Sequence, residues 1–348
     1  MSPAEKKLRV LIVRLGAMGD ILHALPAVAA LRQAHPEWFI GWAVEPQWRD
    51  LLCTGTCDRR SPEMPIIDAI HIVPAKRWAR SPFSLATLRD IRRVRRELRH
   101  TRYDVCVDLQ GAVRSAFIAR WAHASRIIGE DKPREPAARW LFGERVKTQG
   151  VHVIEQAIEV SNAVAAESLP IMLPSLPVSA PAEDKAARIA PPFVLISPGA
   201  GWGAKRWPVE RYAEVARQLH HAGYTVIVNS GPGEELIAEE LTALSAGAAT
   251  ALKASLTELI AITRRSSLVI AGDTGPLHLA SALGKPVVGI FGPTDPARNG
   301  PFGGSFRVLR HPESRRDHSR HEAPEAGLLT ITPDAVLDAA MQLLEARN

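Results

Sequence analysis

Two kinds of hydrophobic pattern alternate along the chain, and the alternation runs through twice. Residues 8–15 form a largely apolar segment of strand length, Val10–Val13 flanked by Arg9 and Arg14. Ile21, Leu22, Leu25, Val28 and Leu31 then recur at helical spacing as far as Pro36. Phe39–Val44, residues 70–73 and residues 103–109 are further strand candidates, and residues 115–121 begin another helix. Residues 168–192 interrupt the alternation with prolines at 170, 174, 177, 181, 191 and 192, which marks a linker. The pattern restarts at Phe193–Ser197. A helix over 208–222 follows, with Tyr212, Val215, Ala216 and Leu219 on one face, and then a strand over 224–229. Residues 268–271 and 286–291 are buried-strand candidates flanking a short helix that carries Leu277, Leu279, Ala280 and Leu283 and closes at Gly284. Residues 306–309 read as a last strand. The chain ends in an amphipathic helix over 333–344 with Val336, Leu337, Ala340, Leu343 and Leu344.

Two strand–helix series around a proline-rich linker predict an α/β protein of two Rossmann-like domains, with the boundary near residue 175. The length of 348 residues suits that division. Charged residues make up 23% and hydrophobic ones 46%, ordinary values for a globular protein. The longest apolar runs are strand-length, so no membrane span is expected. A secretory leader is not expected either, because Arg14 interrupts the first apolar run. Cys53, Cys57 and Cys106 show no pairing pattern and read as free thiols of a cytoplasmic protein.

The net charge of +6 matters less than its distribution. Residues 76–102 hold ten basic side chains against Asp90 and Glu97. Most of the arginines from 89 to 102 fit a solvated helix face. Lys76, Arg77 and Arg80 differ, because they are expected in a loop just after a strand end, where they would meet an anion. Aromatic residues do not interleave with the arginines and no recognisable nucleic-acid module is present, so nucleic acid is not an expected partner.

Three loops carry candidate chemistry. In the first, Gly272-Asp273-Thr274-Gly275 separates a strand from a helix opened by Pro276. A helix N-terminus at the carboxyl end of a parallel strand offers free N–H groups and a positive dipole end to a phosphate. Asp273 would repel a phosphate but can accept hydrogen bonds from sugar hydroxyls, so the loop suits a nucleotide sugar. In the second, residues 198–208, Gly199, Gly201 and Gly203 allow N–H groups to wrap an anion, and Lys205 adds a point charge. The third, Gly16-Ala17-Met18-Gly19-Asp20, lacks the dinucleotide Gly-x-Gly-x-x-Gly spacing. There Asp20 is either a helix N-cap or a general base. No Asp-x-Asp occurs and the histidines at 311, 318 and 321 are interleaved with Arg and Pro, so no metal site is expected.

Asp273-Thr274-Gly275, His278 and Gly292-Pro293-Thr294-Asp295 closely resemble the donor motif of the ADP-heptose:lipopolysaccharide heptosyltransferases, glycosyltransferase family 9. Arg14 to Pro26 is similar to that family's opening motif. Asp108-Leu-Gln-Gly with Arg114-Ser115, and Arg134-Glu135-Pro136, also agree, and the resemblance is strongest to heptosyltransferase I members. One departure stands out: Ala200 and Gly201 occupy places where some of those members have two threonines, a form nearer to heptosyltransferase II.

The resemblance implies the GT-B architecture, two Rossmann-like domains facing across a cleft. The acceptor would bind residues 1–175 and the nucleotide sugar residues 176–330, with 331–348 packing back on the N-terminal domain. It implies an inverting transfer from ADP-heptose to Kdo-lipid A with Asp20 as base and no cofactor. Lys205, Gly201, Gly203, Glu234 or Glu235, Asp273, Thr274, Gly275 and His278 would face the donor. Lys76, Arg77, Arg80 and Arg134 would face the acceptor. A monomer at the cytoplasmic face of the inner membrane is the expected setting. The alternatives are a family 9 transferase acting on an already heptosylated core, or a nucleotide-sugar-binding protein without activity.

Overall fold

The computed structural model describes residues 7–56, 58–314 and 322–346, so Cys57, His318 and His321 lie outside the described residues. The chain divides into two compact units, Met1–Pro177 and Val178–Asn348.

The first unit runs β1 (Arg9–Val13), α1 (Met18–Ala34), β2 (Phe39–Val44), β3 (Ala69–Ile72), α2 (Ala75–Arg80), α3 (Leu85–Thr101), β4 (Val105–Asp108), α4 (Val113–Trp121), β5 (Arg126–Glu130), β6 (Glu144–Val146) and α5 (Val153–Ala165). Its strands form one parallel sheet in the order β3-β2-β1-β4-β5-β6. The chain starts in the middle, winds outward to β3, then crosses back to pair β4 with β1. That reversal opens a crevice beyond the carboxyl ends of β1 and β4. Residues on both faces of β1 and β4 are buried, although residues 103–109 alternate in the sequence.

A buried polar chain docks α3 on this sheet. His71 lies 2.6 Å from the Glu97 carboxylate through Nδ1 and 2.6 Å from the Tyr103 hydroxyl through Nε2. Gly41 on β2 makes room for that hydroxyl, which would overlap any Cβ there.

The second unit begins with α6 (Ala180–Ala186). It continues β7 (Phe193–Ser197), α7 (Val209–His221), β8 (Thr225–Ser230), α8 (Glu235–Leu244), β9 (Ala249–Lys253), α9 (Leu256–Arg265), β10 (Leu268–Gly272), α10 (Gly275–Ala282), β11 (Val287–Phe291), α11 (Pro296–Asn299), β12 (Phe306–Arg310) and α12 (Pro333–Glu345). The sheet is again six-stranded and parallel, in the order β12-β11-β10-β7-β8-β9, so its reversal falls between β7 and β10. The apolar stripe of the terminal helix α12 packs into the core of the second unit. Val336, Ala340, Leu343 and Leu344 are buried with Leu219 of α7 and Val288 of β11. Trp207 donates its indole N–H to the Ile331 carbonyl at 3.0 Å and fixes the entry to this helix.

Several elements carry weaker signals in the sequence. The edge strand β9 is largely exposed, so it lacks the apolar run that marks its neighbours. Helix α9 opens on a capping box, in which Ser255 accepts from Glu258 N–H and Glu258 accepts from Ser255 N–H. Cys53 and Cys106 are free and buried, and burial pushes the Cys106 thiol up to about 12.

Asp108 ends β4 and is buried. One carboxylate oxygen accepts the N–H groups of Gln110 and Gly111, each at 2.8 Å, and the other accepts the Ser115 hydroxyl at 2.7 Å. Burial outweighs these three donors and raises its carboxyl to about 6. Since this exceeds the unfolded value, the folded state binds the proton more tightly. The resulting contribution to stability is complete below the unfolded carboxylate range and is lost as pH rises through about 6. Wild type should therefore gain stability between pH 7 and pH 5 relative to Asp108→Asn, as read by denaturant unfolding at each pH. Parallel curves for the two proteins would contradict this assignment.

Candidate functional site

In both units the polar side chains singled out from the sequence gather at the carboxyl edge of the sheet, some of them at its reversal and others after the strands beyond it. In the second unit, Lys205 follows β7 in a short 3-10 turn and Asp273 follows β10. Lys205 Nζ lies 2.5 Å from Asp273 Oδ2, and His278 Nε2 lies 3.2 Å from Asp273 Oδ1. His278 sits on the first turn of α10, where helical spacing returns it towards the loop. Burial by itself would push the Asp273 carboxyl up. The hydrogen bonds and charges of His278 and Lys205 outweigh it and hold the group well below the usual carboxylate range. Lys205 also stands 5.0 Å from the Trp202 ring centroid, within cation–π reach. Thr274 caps α10 from an extended conformation, which leaves the N–H groups of its first turn without helical partners.

The glycines of the preceding loop serve different purposes. A Cβ at Gly199 would overlap the Glu234 carboxylate, and one at Gly203 would overlap the Glu322 backbone. Gly201 alone of the three faces open space. Glu234 accepts the Gly231 N–H at 3.1 Å, so its carboxylate lies between the loops after β7 and β8. Glu235 is employed elsewhere: it pairs with Lys253 at 3.2 Å and accepts the Gly233 N–H at 2.8 Å. The two neighbours are therefore not equivalent, and only Glu234 belongs to the loop cluster.

Ser197 and Asn229 were not among the residues the sequence singled out, and Thr294 entered only as part of the Gly-Pro-Thr-Asp motif. All three are buried near the ends of β7, β8 and β11, and Ser197 Oγ, Asn229 Oδ1 and Thr294 Oγ1 have no hydrogen-bond partner among the described residues. An unmet buried polar atom costs about 1–3 kcal/mol, so these three along one sheet edge are available to a water or a polar ligand. The available signal was a polar residue ending or just following an apolar strand.

In the first unit, the sequence left Asp20 as an N-cap or a base. Ala17 is the N-cap, and Asp20 stands three residues into α1, where Oδ2 accepts the Ala17 N–H at 2.9 Å. Oδ1 lies 2.8 Å from the Arg14 guanidinium, which also donates to the Leu109 carbonyl. With 37% of its side chain exposed, Asp20 is oriented yet open to solvent. Gly16 has φ +155° and lies against Trp48, so that turn requires glycine.

Short contacts knit the remaining acceptor-side candidates to the same edge. Gln110 accepts the Leu15 N–H at 2.8 Å, and Glu135 N–H donates to the Gly111 carbonyl at 2.8 Å beside Arg134. Buried Glu45 accepts the Lys76 N–H at 2.9 Å, while its own N–H donates to Leu15. Lys76, Arg77 and Arg80 were expected in a loop but occupy helix α2. Ala75 and Trp78 are buried one turn apart, and Glu45 satisfies an N–H at the helix start. Arg77 pairs with Asp90, while Lys76, Arg80 and Arg134 are exposed.

Comparison with known proteins defines the class: the chain is a glycosyltransferase of GT-B type. It belongs to glycosyltransferase family 9 (heptosyltransferase), whose model matches residues 91–328. Lipopolysaccharide heptosyltransferase 1 of Escherichia coli K12 is 29% identical over 97% of this chain and 100% of its own length. The E. coli heptosyltransferase WaaC solved with ADP superposes with a TM-score of 0.80 at 26% identity, covering 97% of this chain and 100% of that one. WaaC with ADP-2-deoxy-2-fluoro heptose gives a TM-score of 0.76 at 26% identity over 98% and 100%.

The Asp273 clamp makes a stability prediction. Its lowered carboxyl contributes stability above the unfolded carboxylate range, and that contribution is lost as pH falls through the depressed folded value. Lys205→Met leaves the buried carboxylate with His278 only. It should cost about 3 kcal/mol near pH 7, in the range of broken buried pairs, and less only well below the unfolded carboxylate range, at pH ~2. Equal destabilisation at both pH values, read by chemical denaturation, would remove the charge from the explanation.

Proposed function

We propose that this glycosyltransferase moves heptose from ADP-heptose to a Kdo hydroxyl of Kdo-lipid A by a single inverting displacement, in lipopolysaccharide inner-core biosynthesis. The observation that carries the reading is the pairing of chemistries at the two sheet edges. A cation, a helix N-terminus and a carboxylate are clustered in the second unit, and an oriented, open carboxylate stands in the first. The full-length similarity to an enzyme named heptosyltransferase 1, and to WaaC bound to ADP and an ADP-heptose analogue, supports the donor and the step.

In the reaction, Asp20 takes the proton of the attacking hydroxyl. The hydroxyl oxygen bonds to the anomeric carbon as the bond from that carbon to the diphosphate oxygen breaks. The electron pair leaves with ADP. The transition state is oxocarbenium-like, as in glycoside chemistry generally. Negative charge grows on the departing diphosphate, where Lys205, the N–H groups around Gly201 and the first turn of α10 at Thr274 and Gly275 stabilise it. Lys205 has donors to spare beyond the one on Asp273. Asp273, held by Lys205 and His278, accepts from sugar hydroxyls, and Glu234 contacts the nucleoside. Arg134, Lys76, Arg77 and Arg80 bind the acceptor's carboxylates and phosphates, where planar guanidinium groups bind two oxygens at once. With a lipid as acceptor, the reaction belongs at the cytoplasmic surface of the inner membrane. Among the described residues no helix is long and apolar enough to cross a membrane.

The test is ADP release from ADP-heptose with deacylated Kdo-lipid A. Wild type should turn over only with acceptor present, and Asp20→Ala should lose about 10²–10⁴-fold in kcat. Unchanged kcat in the variant would dismiss Asp20 as base. Turnover confined to a heptosylated acceptor would make this the second heptosyltransferase, and a retained anomeric configuration in the product would reject the single displacement. Glu234→Ala should weaken ADP binding roughly tenfold while Glu235→Ala leaves it unchanged, as measured by calorimetry. The reverse order would reassign the nucleoside contact.

A further inference from the structure

The outer face of α3 is divided in a way the transfer reaction does not use. Leu85, Leu88, Arg89, Arg92, Arg96 and Arg99 follow one another at spacings of one, three or four residues and form a single stripe. Thr87, Val94 and Leu98 occupy the opposite, buried face. The stripe is apolar at its N-terminal end and wholly cationic beyond. Phe83, just before the helix, is 92% exposed, Leu85 72% and Leu88 42%. The acids nearby are already occupied: Asp90 is taken by Arg77, and Glu97 by His71 and Arg93. Among the described residues, Arg89, Arg92 and Arg96 meet no carboxylate within ion-pair distance.

Topology sets the direction of the stripe. As the crossover from β3 to β4, α3 runs antiparallel to the strands, so its apolar tip lies at the carboxyl edge of the sheet, following α2. That is the edge that carries Lys76, Arg80 and Asp20.

We propose that this face is a docking surface for an anionic phospholipid membrane, with Phe83, Leu85 and Leu88 entering the interface and Arg89, Arg92 and Arg96 lying against lipid phosphates. An exposed apolar tip beside unneutralised cations complements a membrane in both respects, since lipids offer acyl chains beneath a negative surface. Arg92, Arg96 and Arg99 also line, with Arg95, His100 and Arg102, an open and wholly basic hollow, which suits phosphate groups rather than an apolar partner. The proposal rests on the reading of α2 as acceptor-side: a lipid acceptor would be presented to the same edge that touches the membrane.

Flotation of the full chain with vesicles of phosphatidylcholine alone, or with 30 mol% phosphatidylglycerol (on the order of native anionic surfaces), tests it. Wild type should float only with the anionic vesicles, and release should follow rising salt. Phe83→Ser/Leu85→Ser/Leu88→Ser and Arg89→Ser/Arg92→Ser/Arg96→Ser should each lower the vesicle partition coefficient roughly tenfold or more. Both should keep wild-type turnover on the soluble deacylated acceptor, which also reports that they fold. Wild type that turns over yet floats with neither vesicle overturns the surface and leaves the transfer reading intact. Variants that float as wild type does overturn it too. Flotation lost in both variants, in a protein inactive on every acceptor, keeps the surface and sinks the transfer reading instead.

Discussion

A parallel strand can be followed by another only if the chain crosses back over a face of the sheet. Every connection that leaves the carboxyl edge of these two sheets therefore starts from the same side, and the sheet interior has no room for polar groups. Polar residues that must be held rigidly collect at that edge. Where the winding reverses, two loops separate and leave a crevice. Both units obey this constraint, with the reversal between β1 and β4 in one and between β7 and β10 in the other. Asp20, on the first turn of α1, with Arg14, and Lys205 with Asp273, stand at those two reversals.

What keeps these edges ordered is a small set of carboxylates fully committed to neighbours. Asp108 gathers two N–H groups and a hydroxyl and so shapes the loop after β4. Glu45 joins the start of α2 to the ends of β1 and β2. Asp273 ties the loop after β7 to helix α10 through Lys205 and His278. Each is buried, so each would be costly without its partners. The same low-dielectric surroundings that make an unpaired charge expensive make a satisfied cluster stiff, and a stiff cluster is suited to holding a charged substrate in one pose.

Local pattern was a good guide where one kind of burial ran along a whole element. The central strands, α1, α7, α10 and α12 were visible because their apolar residues repeat at the element's own period. It was a poor guide at edges and short turns. The edge strand β9 is mostly exposed and carries no run. Helix α2 is six residues long, too short for periodicity, and owes its conformation to the burial of Trp78 and to Glu45. The motif glycines were legible as a group but not individually: Gly199 and Gly203 give space to Glu234 and to residue 322, and only Gly201 is left open.

The residues of this chain determined by themselves the α/β class and a division within the proline-rich stretch, because hydrophobic period and proline content are properties of neighbours in sequence. Tertiary structure alone decided how individual side chains are deployed. Glu234 and Glu235 are adjacent and chemically identical, yet one backs onto Gly199 and the other reaches Lys253. Lys205 and Asp273 are 68 residues apart and meet only because β7 and β10 are paired. The terminal helix is amphipathic in any setting, and only the fold shows that its stripe meets Leu219 and Val288. Contacts between residues distant in sequence depend on strand order, and strand order is set by the packing of the whole sheet rather than by any segment of it.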